Sequence, residues 1–478
     1  MYDEVSVLVI GGGPGGSTAA ALLAKDGIDV LLLEREEFPR YHIGESLLPA
    51  CVPTLQMSGA IDAVAAHGFQ VKRGGVFRWG KDEWILDWDK MVDPPAWSWE
   101  VDRAEYDHIL LRNASAQGAQ VVEKATVRNV VFDGDRPVAV EWVHDGGDVR
   151  TTRFRYLIDA SGRTGVLAKQ HLDIRTRHDV FQNVAIWAYW DGAGLLPGNP
   201  EGGINVVTAP DGWWWNIPLA GNRHSVGLVT HKDDFGARRP GYPSLQDYYL
   251  DRLHGDPTMH SLVEGARFAG PVRAEQDYSY AADRFCGPGY VMVGDAACFL
   301  DPLLSTGVHL AQYSATLAAA AIATAHRGEM TEQEALGFFE FTYRRAYTRM
   351  LVLVGRLYQK YEGASTYFTQ AQQLVHEDTH NTEPIRDFTG IITGLTDMRE
   401  AEHVDLRVLT RALIHEAEQT SDSLEMQRCS MGLDLGLTWA YENKLFGADA
   451  AAGDIHLSST PRLGLRRQTA PEPAGRPA

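Results

Sequence analysis

The stretch that decides the fold is Val7-Leu8-Val9-Ile10-Gly11-Gly12-Gly13-Pro14-Gly15-Gly16, followed by Ser17 to Asp26, Gly27, Val30-Leu31-Leu32-Leu33 and Glu34. Four consecutive branched apolar residues read as a buried strand, the glycines as a tight turn, and the Ala/Leu-rich run as a helix. Val30 to Leu33 is a second strand, so the segment is a βαβ unit. Gly11, Gly13 and Gly16 satisfy the GxGxxG spacing. The first permits the turn, the second lets the backbone approach a pyrophosphate, and the third allows helix and strand to pack closely. Pro14 opens the helix, whose free N–H groups and dipole favour phosphate. Glu34, 18 residues after Gly16, ends the second strand and suits a ribose hydroxyl.

Working outward, the 478 residues carry 44 Lys plus Arg against 63 Asp plus Glu, a net charge of −19. That balance argues against non-specific nucleic-acid binding, which depends on phosphate-neutralising cations. A 44% hydrophobic content is too high for disorder. No apolar run is long enough to predict a membrane span, and the N-terminus reads as a strand rather than a signal peptide. Cys51, Cys286, Cys298 and Cys429 are scattered, without CxxC spacing. They are expected to be reduced and structural in a cytoplasmic protein, and no metal site is expected.

The expected fold class is α/β: a Rossmann-like FAD-binding fold of the flavoprotein monooxygenase type, with an antiparallel substrate-side sheet and a helical C-terminal region. Residues 1–330 form the core and include the antiparallel sheet at about 74–100 and 183–230. Residues 331–457 are helical and cover the substrate side. Residues 458–478, rich in Pro, Ala and Arg, are expected to be disordered. Two later turns resemble those of flavoprotein monooxygenases and so favour FAD over NAD: Asp159-Ala160-Ser161-Gly162, and Gly294-Asp295 after the strand YVMV, where the resemblance implies that Asp295 binds the ribityl chain. Arg103 sits where this fold often places a flavin-contacting arginine; a surface ion pair is the plain alternative. No second GxGxxG marks a separate NAD(P)H domain, so the flavin is expected to be reduced by another protein or by transient NAD(P)H docking.

Further motifs carry a family resemblance. Trp213-Trp214-Trp215-Asn216-Ile217-Pro218 contains WxWxIP, with Trp213, Trp215, Ile217 and Pro218 in the fixed positions. It is joined by FPRYHIGESLLP at 38–49, KRGGVFRWG at 72–80 and GDAACFLDPLLSTGVHLA at 294–311. Over roughly residues 4–360 the chain resembles the flavin-dependent halogenases. It looks closest to bacterial natural-product enzymes that act on phenolic or pyrrolic substrates, often tethered to a peptidyl or acyl carrier protein.

The resemblance implies that reduced FAD and O2 oxidise chloride or bromide to hypohalous acid, which travels to a lysine beside the substrate. Lys72 matches that lysine; alone, it would read as a snorkelling strand residue. Partial burial would lower its pKa and make both ammonium and amine accessible. The resemblance places the halide at Ser305-Thr306-Gly307, where a helix begins; by itself that turn reads as an N-cap. It makes Trp213 and Trp215 a block between flavin and substrate, although adjacent tryptophans are also ordinary core.

One position departs from the pattern. Tryptophan halogenases carry a glutamate just before Ser-Thr-Gly, and here it is Leu304. The general base is then absent or elsewhere, which favours a phenol that activates its own ring. Glu45 and His309 are the other candidates for that base, but Glu45 reads as a structural or flavin-side residue and His309 as a packed or supporting histidine rather than a base. Arg345, Arg349, Arg356 and Lys360 share one helical face, either to dock an acidic carrier or as a solvated stripe. Two alternatives are a flavin-dependent hydroxylase or related oxidoreductase, and a non-catalytic flavoprotein or carrier-binding scaffold. Expected partners are a flavin reductase and an aromatic small molecule; no nucleic acid or membrane is expected, and the oligomeric state stays open.

Overall fold

The computed structural model describes residues 3–80, 82–92, 94–359, 389–404 and 453–468. The strand Glu4–Ile10 lies at the centre of a largely parallel sheet. On one side is Val30–Leu33 and then Gln120–Val122. On the other is Val149–Asp159, then Tyr290–Met292 and Cys286–Gly287. An antiparallel pair, Ala125–Asp133 and Arg136–His144, extends from Val149–Asp159. The inner strands are apolar on both faces because helices cover them, as parallel sheets require.

The helix Pro14–Lys25 packs against the helix Thr306–His326. Two glycines make the turn before it possible. Gly11 has φ +101°, and a β-carbon there would stand 2.4 Å from the Ala160 carbonyl. A β-carbon on Gly16 would stand 1.9 Å from the Gly11 carbonyl. Any larger residue at position 16 would force strand and helix apart.

Among the described residues the second sheet has nine strands. Its centre is Arg175–Asp191, Arg223–His231, Gly212–Leu219 and Ile204–Ala209, all antiparallel. It continues through Gly74–Trp79, which pairs in parallel with Ile204–Ala209, to Asp82–Asp87. Strand alternation divides the tryptophans. Trp213, Trp215 and Trp187 enter the main core, whereas Trp214 and Trp190 face a separate core that includes Tyr248, Tyr249 and Leu253 of the Leu245–Gly255 helix. A two-stranded ribbon, Gln70–Lys72 with Ser98–Glu100, lies apart from both sheets.

Two expectations for the C-terminal part need correction. The stretch from Ser458 is not wholly disordered: Ile455–Ser458 and Gly464–Arg467 form a hairpin. It is held because Leu465 is buried and its N–H donates to Thr324 Oγ1 at 2.8 Å on the long helix. Arg345 and Arg349 of the Glu332–Gln359 helix are not a docking face. Both are buried; Arg345 pairs with Glu400, and Arg349 with Asp397 and Glu400, of the Leu395–Glu402 helix. Lys360, the last of that stripe, and Cys429 fall outside the described residues, and Arg356 lies on the Glu332–Gln359 helix. Cys51, Cys286 and Cys298 are free thiols. Among the described residues no helix is long and apolar enough to cross a membrane.

Candidate functional site

A cavity of 730 Å³ opens where the two sheets meet the starts of the two packed helices. Its lining includes Gly11, Gly13, Pro14, Glu34, Arg103, Asp295, Ser305, Thr306, Gly307, Trp213, Trp215 and Ile217. Residues named from distant parts of the sequence thus converge on one space. Gly16, Pro218 and Lys72 are not among the lining residues. Gly16 packs beneath the turn, and Pro218 lies in the strand opposite His224.

At one end the helix start at Gly13–Pro14 presents first-turn N–H groups that no helical carbonyl can satisfy. Glu34 fixes the turn beside it: its Oε2 accepts the Gly12 N–H at 2.6 Å and its Oε1 accepts the Glu36 N–H at 2.8 Å. Each carboxylate oxygen keeps a further lone pair. Gly-rich turn, helix start and acid together fit a dinucleotide.

Arg103 is not a surface ion pair. It is buried and forms a bidentate pair with Asp107, Nε to Oδ1 at 2.8 Å and Nη2 to Oδ2 at 3.0 Å. Its Nη1 donates to the Ile43 carbonyl at 2.8 Å and so anchors the 41–46 loop, which forms one cavity wall. Arg40 adds a second guanidinium to Asp107 at 2.9 Å. Burial works to raise the Asp107 pKa, but the Arg103 charge and hydrogen bonds outweigh it and hold the carboxyl below its usual range. The sequence reading missed Asp107. The available signal was its i+4 spacing from Arg103 on one helix.

Asp295 stands 3.8 Å from Arg163 Nε at the cavity. Opposite the Gly-rich turn, Ser305 has φ +56°, a left-handed conformation uncommon for serine, and leads directly into the helix Thr306–His326. That turn is braced by Asp301, whose Oδ1 accepts the Leu303 N–H at 2.9 Å. A second helix start therefore faces the cavity from the other side.

Trp213, Trp215 and Ile217 form a buried wall. Trp215 Nε1 donates to Ser225 Oγ at 3.2 Å. Glu45 is also buried, and its Oε1 accepts the Tyr189 hydroxyl at 2.6 Å. His309 is buried against Asp397, Nε2 to Oδ2 at 2.9 Å, as a packed residue would be.

Lys72 lies behind the cavity wall, only 2% exposed. Its Nζ donates to Ser46 Oγ at 2.5 Å and to the Leu47 carbonyl at 3.2 Å, and stands 5.1 Å from the centroid of the Trp88 ring. Burial pushes its pKa below the ordinary lysine value, with Glu100 opposing. Ser46 does line the cavity, so the lysine lies one hydroxyl away from it. Among the described residues no group of three or more His, Cys, Asp or Glu is arranged to hold a metal ion.

A family model described as tryptophan halogenase matches residues 6–88 and 86–390. A tryptophan 2-halogenase of Chondromyces crocatus is 38% identical, covering 99% of this chain and 96% of the relative. The sulochrin halogenase of Aspergillus terreus is 33% identical over 97% of this chain and 94% of its own. Among solved structures, the myxobacterial chondrochloren halogenase, a variant of FAD-dependent halogenases, is 35% identical with a TM-score of 0.70, covering 82% of this chain and 97% of that one. With a family match across most of its length and a cavity built for a dinucleotide, the chain belongs to the flavin-dependent halogenase family, enzymes that use FAD, O2 and halide.

Proposed function

We propose that this enzyme chlorinates an electron-rich aromatic ring, a phenol, through Lys72. The observation that carries the reading is the placement of the Lys72 amine 2.5 Å behind Ser46 on the wall of the dinucleotide cavity. Reduced FAD, recharged by a separate flavin reductase, supplies with O2 the oxidising equivalent that turns halide into hypohalous acid.

The chain's own residues supply the rest. The Gly11–Gly16 turn and the helix start at Pro14 bind the diphosphate, with Glu34 at the ribose and Asp295 at the ribityl chain. Arg103 holds the 41–46 loop against the flavin. The N–H groups at Ser305, Thr306 and Gly307 hold the halide, where the helix dipole favours an anion. The Trp213–Trp215–Ile217 wall keeps the aromatic substrate away from the flavin, so that oxidant reaches it as hypohalous acid. Lys72 receives that acid: as ammonium it donates a hydrogen bond that makes the halogen more electrophilic, and as amine it forms a haloamine with loss of water.

A phenol is favoured because Leu304 brings no carboxylate to the halide turn, and a phenol ring supplies its own electron push. The relatives are named for tryptophan, sulochrin and chondrochloren, so their names do not select one substrate.

The test is a reconstituted assay with flavin reductase, chloride or bromide, and free and carrier-tethered phenols and pyrroles, read by mass and isotope pattern. Chlorinated phenol from the native protein and none from Lys72→Ala, with FAD binding intact in both, is the expected result. Chlorination by Lys72→Ala at the native rate would overturn the lysine assignment. Chloride-independent oxygen insertion would favour a hydroxylase instead.

A further inference from the structure

Lys72 is not the only ionisable group sealed behind Ser46. Glu100 is fully buried, and its Oε1 stands 3.6 Å from Lys72 Nζ. The ribbon explains why they meet. Lys72 is directly opposite Ser98, so Glu100, two residues further along, is its diagonal neighbour on the same face. Ser46 forms an isolated bridge to Glu100 and lies between the two groups. Its Oγ accepts from Lys72 at 2.5 Å and donates to Glu100 Oε1 at 3.3 Å. The second oxygen, Oε2, has no hydrogen-bond partner among the described residues. A buried carboxylate with half its acceptor capacity unused is costly.

We propose that Glu100 is the positioning residue and proton partner of Lys72, acting through Ser46. The inference rests on the reading that Lys72 is the halogenating amine. A proton leaves Nζ for Ser46 Oγ while the Ser46 hydroxyl proton passes to Glu100 Oε1. Ammonium and carboxylate become amine and carboxylic acid, and the pair is neutral overall before and after. The lysine can thus change protonation state inside a dry wall without exchanging a proton with solvent. Burial acts on both groups in the matching direction: it lowers the lysine and pushes Glu100 up to about 8.

The other groups facing the pair do not supply this proton. Cys51 faces Lys72 and remains a thiol, pushed up to about 12 by burial. Glu45 faces Glu100 and, like it, has an Oε2 without a hydrogen-bond partner among the described residues, but its Oε1 is engaged by Tyr189 and the Ser46 hydroxyl that takes the Lys72 hydrogen bond donates to Glu100. Trp88 presents only its ring.

The test uses the FAD-loaded protein with its reductase and compares native, Glu100→Gln, Glu100→Asp, Ser46→Ala and Lys72→Ala. Removing the carboxylate withdraws the charge that supports the ammonium, so the limb of the pH–rate profile that reports Lys72 must move to lower pH. For Glu100→Gln we expect kcat to fall about tenfold or more, KM for the aromatic to stay within about twofold, and that limb to move by about one pH unit or more. Glu100→Asp restores part of kcat. Ser46→Ala moves the same limb while leaving the ion pair in place, and it decides the matter if Glu100→Gln does not fold.

A folded, FAD-binding Glu100→Gln protein with native kcat and pH profile overturns the proposal. So does an unmoved limb in Ser46→Ala. Loss of product in Lys72→Ala beside a native-like Glu100→Gln removes the Glu100 assignment alone. Product from Lys72→Ala removes the lysine reading, and this proposal with it.

Discussion

Gly227 lies directly beneath the indole of Trp215: a β-carbon built on it would stand 2.1 Å from the ring carbon Cζ2. The same glycine is the register partner of Trp187 on the neighbouring strand. It leaves room for two indoles whose ring centroids lie 6.3 Å apart. The wall of the cavity therefore depends on the absence of a side chain in a strand that contributes nothing to the motif.

Gly227→Ala should force the Trp215 ring off its rotamer, at a cost of about 1–3 kcal/mol as in other overpacked cores. Urea unfolding measures that loss. Near-ultraviolet circular dichroism should change with it, because the moved ring is one of a coupled set. An unchanged spectrum with native stability would show that the wall accommodates the methyl group.

Arg103→Ala strips a buried carboxylate of its bidentate partner and releases the Ile43 carbonyl. Removing one half of a buried pair costs about 3–5 kcal/mol. The pH dependence gives a second reading. The native Asp107 pKa is depressed, so its contribution to stability is complete above the unfolded value of about 3.9 and is lost as pH falls through the lower folded value. In Arg103→Ala that acid-side loss should shrink. Urea midpoints taken from about pH 6 down to about pH 2 test both the magnitude and the window, and FAD affinity should fall as the 41–46 loop loosens.

His224 is buried and bonded through Nδ1 to Asn216 Oδ1 at 2.8 Å. Burial lowers its pKa to about 4. The unfolded chain takes up this proton near pH 6.5 and the folded one does not, so stability is present above about pH 6.5 and is lost as pH falls towards 4. The full contribution is on the order of 3 kcal/mol. His224→Gln should flatten the stability profile between those limits; an identical slope in both proteins would refute it.

Arg349 bonds Asp397 Oδ1 at 2.5 Å and pairs with Glu400, while His309 holds the other Asp397 oxygen. These contacts fasten Leu395–Glu402 onto the two long helices. Arg349→Ala should free that segment, with hydrogen exchange at 395–402 rising about 100-fold or more if about 3 kcal/mol is lost locally. Exchange in the helix Pro14–Lys25 should be unaffected.

Much of the site was legible because its parts lie in short local patterns. Gly11, Gly13, Gly16 and Glu34 occupy one βαβ unit, and strand, turn and helix each follow from neighbouring residues. Ser305 to Gly307 was legible as the start of an Ala-rich helix, and the Trp213–Pro218 strand by its alternation. Lys72 came from resemblance alone, since nothing in its neighbours marks it. Arg345 and Arg349 were misplaced for a physical reason: periodicity says which residues share a helix face but not what that face meets. Their partners Asp397 and Glu400 lie about fifty residues away.

The sequence by itself determined the dinucleotide turn, the two helix starts, the tryptophan alternation and the family, because each depends on contacts within a few residues or on an unbroken motif. Only the tertiary structure decided which charges are paired. Arg103 with Asp107, Arg349 with Asp397, and Lys72 with Glu100 through Ser46 are all sealed from water. An ion's pairing depends on what desolvates it and what stands beside it, and both are set by elements far apart in the chain.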